Sequence, residues 1–184
     1  MKKGHFIGIS AAIVTMSLVW ILLTPVLFPA NASQLDTIAP HAGFMAPDFT
    51  LSSPEEEMQS LSDYRGKPVL VFLWASWCSV CKRAMPGLQS VYEDYAVKGF
   101  EILAVNTTFQ DTLTTAINTF QSEGYTYQLL LDRKGSVAQA YRLYALPTAI
   151  LVGSDGRVLD VVIGSGISEG YLRSRLDDIF EGSK

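Results

Sequence analysis

Cys78 and Cys81 are the only cysteines in a chain of 184 residues, and Lys82 and Arg83 stand directly behind them. An unbroken apolar run, Val69-Leu70-Val71-Phe72-Leu73-Trp74, leads into them through Ala75-Ser76-Trp77. Such a run reads as a strand buried on both faces. A helical pattern follows, so Cys78 falls at a helix N-terminus. Unpaired backbone N–H groups and the helix dipole favour a thiolate there, and the two cations add positive potential. The thiolate is the form that attacks a disulfide, and Cys81, one turn further in, can resolve the mixed disulfide.

Other uses of the pair fit less well. A crosslink here closes a four-residue loop, worth about 2 kcal/mol against about 4.7 kcal/mol for a 100-residue loop. A staple placed for stability joins distant segments. Inert buried thiols do not suit a polar, cationic helix start. Two thiols cannot fill the four positions of a structural zinc site. Both histidines, His5 and His41, precede the expected domain, which excludes Cys–His catalysis within it. The spacing and context point to redox chemistry without metal or cofactor.

The rest of the chain must export and position this dithiol. Net charge is −4, which gives nucleic-acid binding no electrostatic support. Lys2 and Lys3 precede Phe6 to Phe28, a stretch of 23 uncharged residues. As a helix it spans a hydrocarbon core of roughly 30 Å, with the lysines on the cytoplasmic side. Residues 1–30 are therefore expected to be a transmembrane anchor, or a signal peptide cleaved after Ala30-Asn31-Ala32. Both readings export the domain, to the outer face of the cell membrane or, if cleaved, to the periplasm or medium. Outside the cytoplasm a cysteine pair is oxidised unless something reduces it. Residues 31–43 read as a polar tether, and 44–184 as the folded domain.

Within that domain, Ala46 to Leu51 reads as a short edge strand, Ser53 to Glu57 as an acidic turn, and Met58 to Ser60 as the returning strand. Leu61 to Pro68 reads as a helical turn. After the cysteines, Met85, Leu88, Val91, Tyr92 and Tyr95 share a helical face ended by Gly99. Phe100–Val105 is a strand. Asp111 or Thr112 caps a helix carrying Leu113, Ala116, Ile117 and Phe120. Tyr127–Leu131 is a strand, Val137 to Leu143 a short helical face, and Ala149–Val152 and Val158–Ile163 a hairpin about Ser154-Asp155-Gly156. A helix with Leu172, Leu176 and Ile179 closes the chain. This order predicts an α/β fold: a mixed central sheet flanked by helices on both faces.

Trp74-Ala75-Ser76-Trp77-Cys78-Ser79-Val80-Cys81, with the later Leu146-Pro147-Thr148, resembles the thioredoxin superfamily. Ala46-Pro47-Asp48-Phe49-Thr50-Leu51 and Leu61-Ser62-Asp63-Tyr64-Arg65-Gly66-Lys67-Pro68 narrow the likeness to membrane-anchored TlpA/ResA-like thiol-disulfide oxidoreductases, with a redoxin, AhpC/TSA-like domain. The resemblance implies a thioredoxin-like fold with an N-terminal β-hairpin and a central helix–strand insertion over 106–131. It implies that Cys78 and Cys81 are catalytic and form the redox disulfide. It implies that Pro147 is cis and that Trp77, Leu146 and Pro147 bind substrate. Extracytoplasmic protein disulfides, apocytochrome c among them, become candidate substrates, and a CcdA- or DsbD-like membrane protein the electron donor.

Three positions depart from that pattern. Val80 stands where many relatives carry proline, Ala84 where they carry glutamate, and Phe72 where thioredoxins bury an aspartate. The expectation is an inner thiol with little proton-transfer assistance. Two other classes share some features. Peroxiredoxins share the Ala46-Pro47-Asp48-Phe49 opening but place threonine where this chain has Ala75. Copper-delivery relatives add a later histidine, and none follows His41.

Overall fold

The computed structural model describes Trp20 and residues 38–182. The expected anchor over Phe6–Phe28, apart from Trp20, lies outside the described residues, as does residues 31–37 of the expected tether. Among the described residues no helix is long and apolar enough to cross a membrane. Seven strands and four α-helices are described: β1 (Thr50–Ser52), β2 (Met58–Ser60), β3 (Val69–Trp74), α1 (Ser79–Tyr95), β4 (Glu101–Asn106), α2 (Leu113–Ser122), β5 (Gln128–Leu131), α3 (Ser136–Ala140), β6 (Thr148–Val152), β7 (Val158–Ile163) and α4 (Glu169–Glu181).

The strands form one mixed sheet in the order β2-β1-β5-β4-β3-β6-β7. The apolar run is its centre: β3 pairs parallel with β4 and antiparallel with β6. Side chains alternate across a strand, so one run feeds two cores. Leu70, Phe72 and Trp74 join Ile102, Ala104 and the inner faces of α1, α2 and α4. Val69, Val71 and Leu73 join Leu103, Val105 and Val137 of α3, with Phe49 and Leu61. No residue of β3 is more than 1% exposed, which is why its sequence shows no polar alternation.

The expectation of an edge strand at Ala46 to Leu51 is corrected. β1 begins only at Thr50 and lies between β2 and β5, pairing antiparallel with both. The edge strand on this side of the sheet is β2, whose Met58 is largely exposed. The hairpin folds outward, so its second arm takes the edge that its first arm would otherwise occupy. β5, from the expected insertion, supplies the strand on which β1 docks.

Local signals elsewhere act as read. Gly99 has φ 97° and follows the 3-10 turn Ala96–Lys98 that ends the first helical stretch, a conformation that suits glycine. Gly156 turns the β6–β7 hairpin at φ 86°, with the Arg65 side chain packed where a Cβ would project. Residues 38–43, at the end of the expected tether, bond to the domain: Ala39 N–H donates to Met45 O and Gly43 N–H to Val158 O.

Candidate active site

β3, β4 and β5 run parallel, so their C-terminal ends share one edge of the sheet. β3 ends at Trp74, and Ala75-Ser76-Trp77 turns the chain into α1. Cys78 N–H donates to Ala75 O at 3.0 Å and closes that turn. Cys78 is the N-cap of α1, and its Sγ accepts from Cys81 N–H at 3.1 Å. The two cysteines form a disulfide with their Cα atoms 5.3 Å apart. Cys81 is fully buried, whereas Cys78 keeps 6% exposure. The outer sulfur is therefore the one an incoming group can reach. Once reduced, it sits at the positive end of a 17-residue helix, which stabilises a thiolate. Lys82 and Arg83 are exposed at the start of that helix.

β6 brings the second half. Leu73 pairs with Thr148, the first residue of β6, so Leu146-Pro147, which leads into β6, lies at the strand end that leads into Cys78. The Leu146–Pro147 peptide is cis. Pro147 O accepts from Gly164 N–H at 2.8 Å, while the backbone N–H and carbonyl of Leu146 take no partner among the described residues.

Between Leu146 and Trp77 lies a groove of about 450 Å³, walled also by Phe109, Ala138, Leu143 and Tyr144. Trp77 is 59% exposed and Tyr144 80% exposed. The Trp77 indole N–H donates to Gln110 O at 3.1 Å, so the ring is exposed but fixed. Trp74, expected as core, is fully buried. Phe72 is fully buried on the same face of the sheet as both cysteines. Ala84 is half-buried and lines a separate cavity of about 410 Å³ with Val80, Arg83, Ile167 and Glu169.

The structure brings Trp77, Cys78, Cys81, Leu146 and Pro147 to one edge of the sheet. It adds Asn106, Phe109, Gln110 and Tyr144, which carry no sequence signal for the site, and Asp111, whose local signal, shared with Thr112, is that of a helix cap. The N-cap of α2 is Thr112, without a side-chain cap bond. The Asp111 carboxylate instead accepts from Ser76 N–H and Ser76 Oγ, each at 2.6 Å, because the β4–α2 loop lies against the turn after β3. Burial pushes this carboxyl up, and the donors from Asn106, Ser76 and Thr112 outweigh burial and hold it below its ordinary value.

The AhpC/TSA family matches residues 42–161. The chain is 35% identical to the thiol-disulfide oxidoreductase ResA of Geobacillus thermodenitrificans over 137 residues, 74% of this chain and 77% of that protein. It is 32% identical to the ResA of Oceanobacillus iheyensis over 180 residues, 93% of this chain and 89% of that protein. Among solved structures it resembles a thiol:disulfide interchange protein from Bacteroides sp., with TM-score 0.67 and 26% identity, over 78% of this chain and 93% of that one.

Proposed function

The chain belongs to the AhpC/TSA family and is a thiol-disulfide oxidoreductase of thioredoxin-like fold, and from that premise we propose that it reduces disulfides of extracytoplasmic proteins. The observation that carries this is the pairing of Cys78, which keeps 6% exposure, with a Leu146 backbone that has no partner among the described residues and with an open aromatic groove. A small disulfide needs only the sulfur. A polypeptide uses all three, pairing its main chain with Leu146 and laying a side chain against Trp77.

In the reducing direction the Cys78 thiolate attacks one substrate sulfur. A mixed disulfide forms and the other substrate sulfur leaves as a thiolate. The Cys81 thiolate then attacks Cys78 Sγ, which forms the Cys78–Cys81 disulfide and frees the second substrate thiolate. Two electrons pass to the substrate, and each thiolate released takes a proton from water. A membrane dithiol carrier of the CcdA or DsbD type returns the electrons. The uncharged stretch Phe6 to Phe28 behind Lys2 and Lys3 holds the domain outside the membrane, where disulfides arise and apocytochrome c is one candidate substrate.

The test is capture in cells. Cys81→Ala leaves Cys78 unable to be resolved, so mixed disulfides accumulate with substrates and dissolve on reduction. Cys78→Ala captures none. Recovery of no adduct from Cys81→Ala would defeat the protein-substrate reading. Labelling of the cysteines of the exported chain by a membrane-impermeant reagent in intact, reduced cells checks the location.

A further inference from the structure

We propose that Asp111 is a positioning residue for substrate docking, bracing Trp77 through Ser76, which it bonds, and through Gln110, whose carbonyl takes the Trp77 indole N–H. The inference rests on the proposed action on protein disulfides. Asp111 Oδ2 accepts from Ser76 N–H at 2.6 Å and from Asn106 Nδ2 at 2.9 Å. Its Oδ1 accepts from Ser76 Oγ at 2.6 Å and from Thr112 N–H at 2.8 Å. A carboxylate serving only its own helix would need the last of these alone. Three of the four bonds reach beyond the neighbouring Thr112, and two reach a residue 35 positions back in the sequence.

The anchor for this clamp is firm. Asn106 is fully buried at the end of β4, and its side-chain oxygen accepts from Thr108 Oγ1 at 3.0 Å. That bond leaves the Asn106 amide N–H₂ aimed at Asp111. Thr107 N–H and Thr107 Oγ1 both donate to Trp74 O, so the β4–α2 loop is tied to the end of β3 as well. Ser76 directly precedes Trp77, and Gln110, whose carbonyl takes the Trp77 indole N–H, directly precedes Asp111. The loop therefore holds the Trp77 indole through Gln110, and Ser76, the residue before Trp77, through Asp111. Phe109 of the same loop lines the groove together with Leu146. Nothing in this network bonds to either cysteine side chain. Asp111 thus acts on docking and leaves sulfur chemistry alone.

The experiment compares a peptide disulfide with hydroxyethyl disulfide, using the full-length dithiol enzyme and its Asp111→Asn variant. Asparagine keeps the size but presents N–H₂ where a donor now points. The KM for the peptide rises about tenfold, the worth of one charge-assisted hydrogen bond, while kcat and the hydroxyethyl disulfide rate stay within about twofold. Acrylamide quenching of Trp77, taken as the difference from Trp77→Phe in each background, increases. Ser76→Ala, which keeps the carboxylate and the Ser76 N–H, raises the peptide KM about threefold, and the double variant is no worse than Asp111→Asn alone. It carries the test if Asp111→Asn does not fold. Equal loss toward both disulfides would overturn the clamp, as would a lowered melting temperature with unchanged KM and quenching. A wild type inactive toward both disulfides would overturn the proposed function and this inference with it.

Discussion

Replacing Trp77 with alanine separates what the ring does for the fold from what it does for a substrate. The residue is 59% exposed. Taking about 250 Å² for the whole ring system, roughly 150 Å² remains open and about 100 Å² is covered by the protein. At about 25 cal/mol per Å² the covered part stabilises the fold by up to about 2.5 kcal/mol, an upper bound because unfolded chains also bury apolar surface. The open part could contribute up to about 3.7 kcal/mol to a partner on the same coefficient. Ordering costs reduce that, and an aromatic anchor typically yields about 2 kcal/mol, a factor of roughly 30. Trp77→Ala is therefore expected to lower stability by about 1–2 kcal/mol in urea titration. It should raise the KM for reduction of insulin about 30-fold. Reduction of a small aromatic disulfide by the same variant should change by less than about threefold, because Cys78 keeps its turn to Ala75 and its place on α1. Trp77→Phe should fall between. Equal loss on insulin and the small disulfide would refute the separation, since the ring would then be acting on the cysteine itself.

Two further outcomes follow from the same geometry. Ala84→Glu places a carboxylate one turn after Cys81, facing a cavity with room for it. The exchange rate is expected to rise severalfold, because a general base then assists the buried inner thiol. Thiol alkylation against pH should show the Cys81 titration displaced, and no change in rate or titration would refute the idea. The lowered Asp111 carboxyl predicts a pH dependence of stability. The contribution is fully present above the ordinary carboxylate value of about 3.9 and is lost as pH falls through the depressed folded value. Urea titrations between pH 7 and pH 2 should show a shallower acid-side decline in Asp111→Asn, and parallel declines would count against it.

The site divides along the same line as the fold. Cys78 at the N-cap of α1, the buried β3 and the break at Gly99 follow from residue types and spacing over a few neighbours. Helix geometry, strand burial and positive-φ turns are local demands. The cis Leu146–Pro147 peptide and the thioredoxin-like identity of the mixed sheet rest on family likeness, since no local pattern dictates a cis bond. The inner position of β1, between β2 and β5, is not legible in its residues, because a three-residue strand carries no signal of which neighbour it will meet. Of the two candidate caps, Asp111 and Thr112, Thr112 takes the N-cap position of α2, and Asp111 is free to bond Ser76 and Asn106 instead.

Residue types and their spacing establish a dithiol at the start of a helix, the strand that delivers it, and the order of elements around it. Strand pairing sets which side chains surround that dithiol. Parallel pairing of β3 with β4 brings Asp111 to Ser76 across 35 residues of chain. Antiparallel pairing of β3 with β6 brings Leu146 to the same edge. A carboxylate's four acceptor sites can be filled by near or distant donors at similar energy, so residue type alone leaves the choice open. The packing of the β4–α2 loop against the turn before Cys78 makes it.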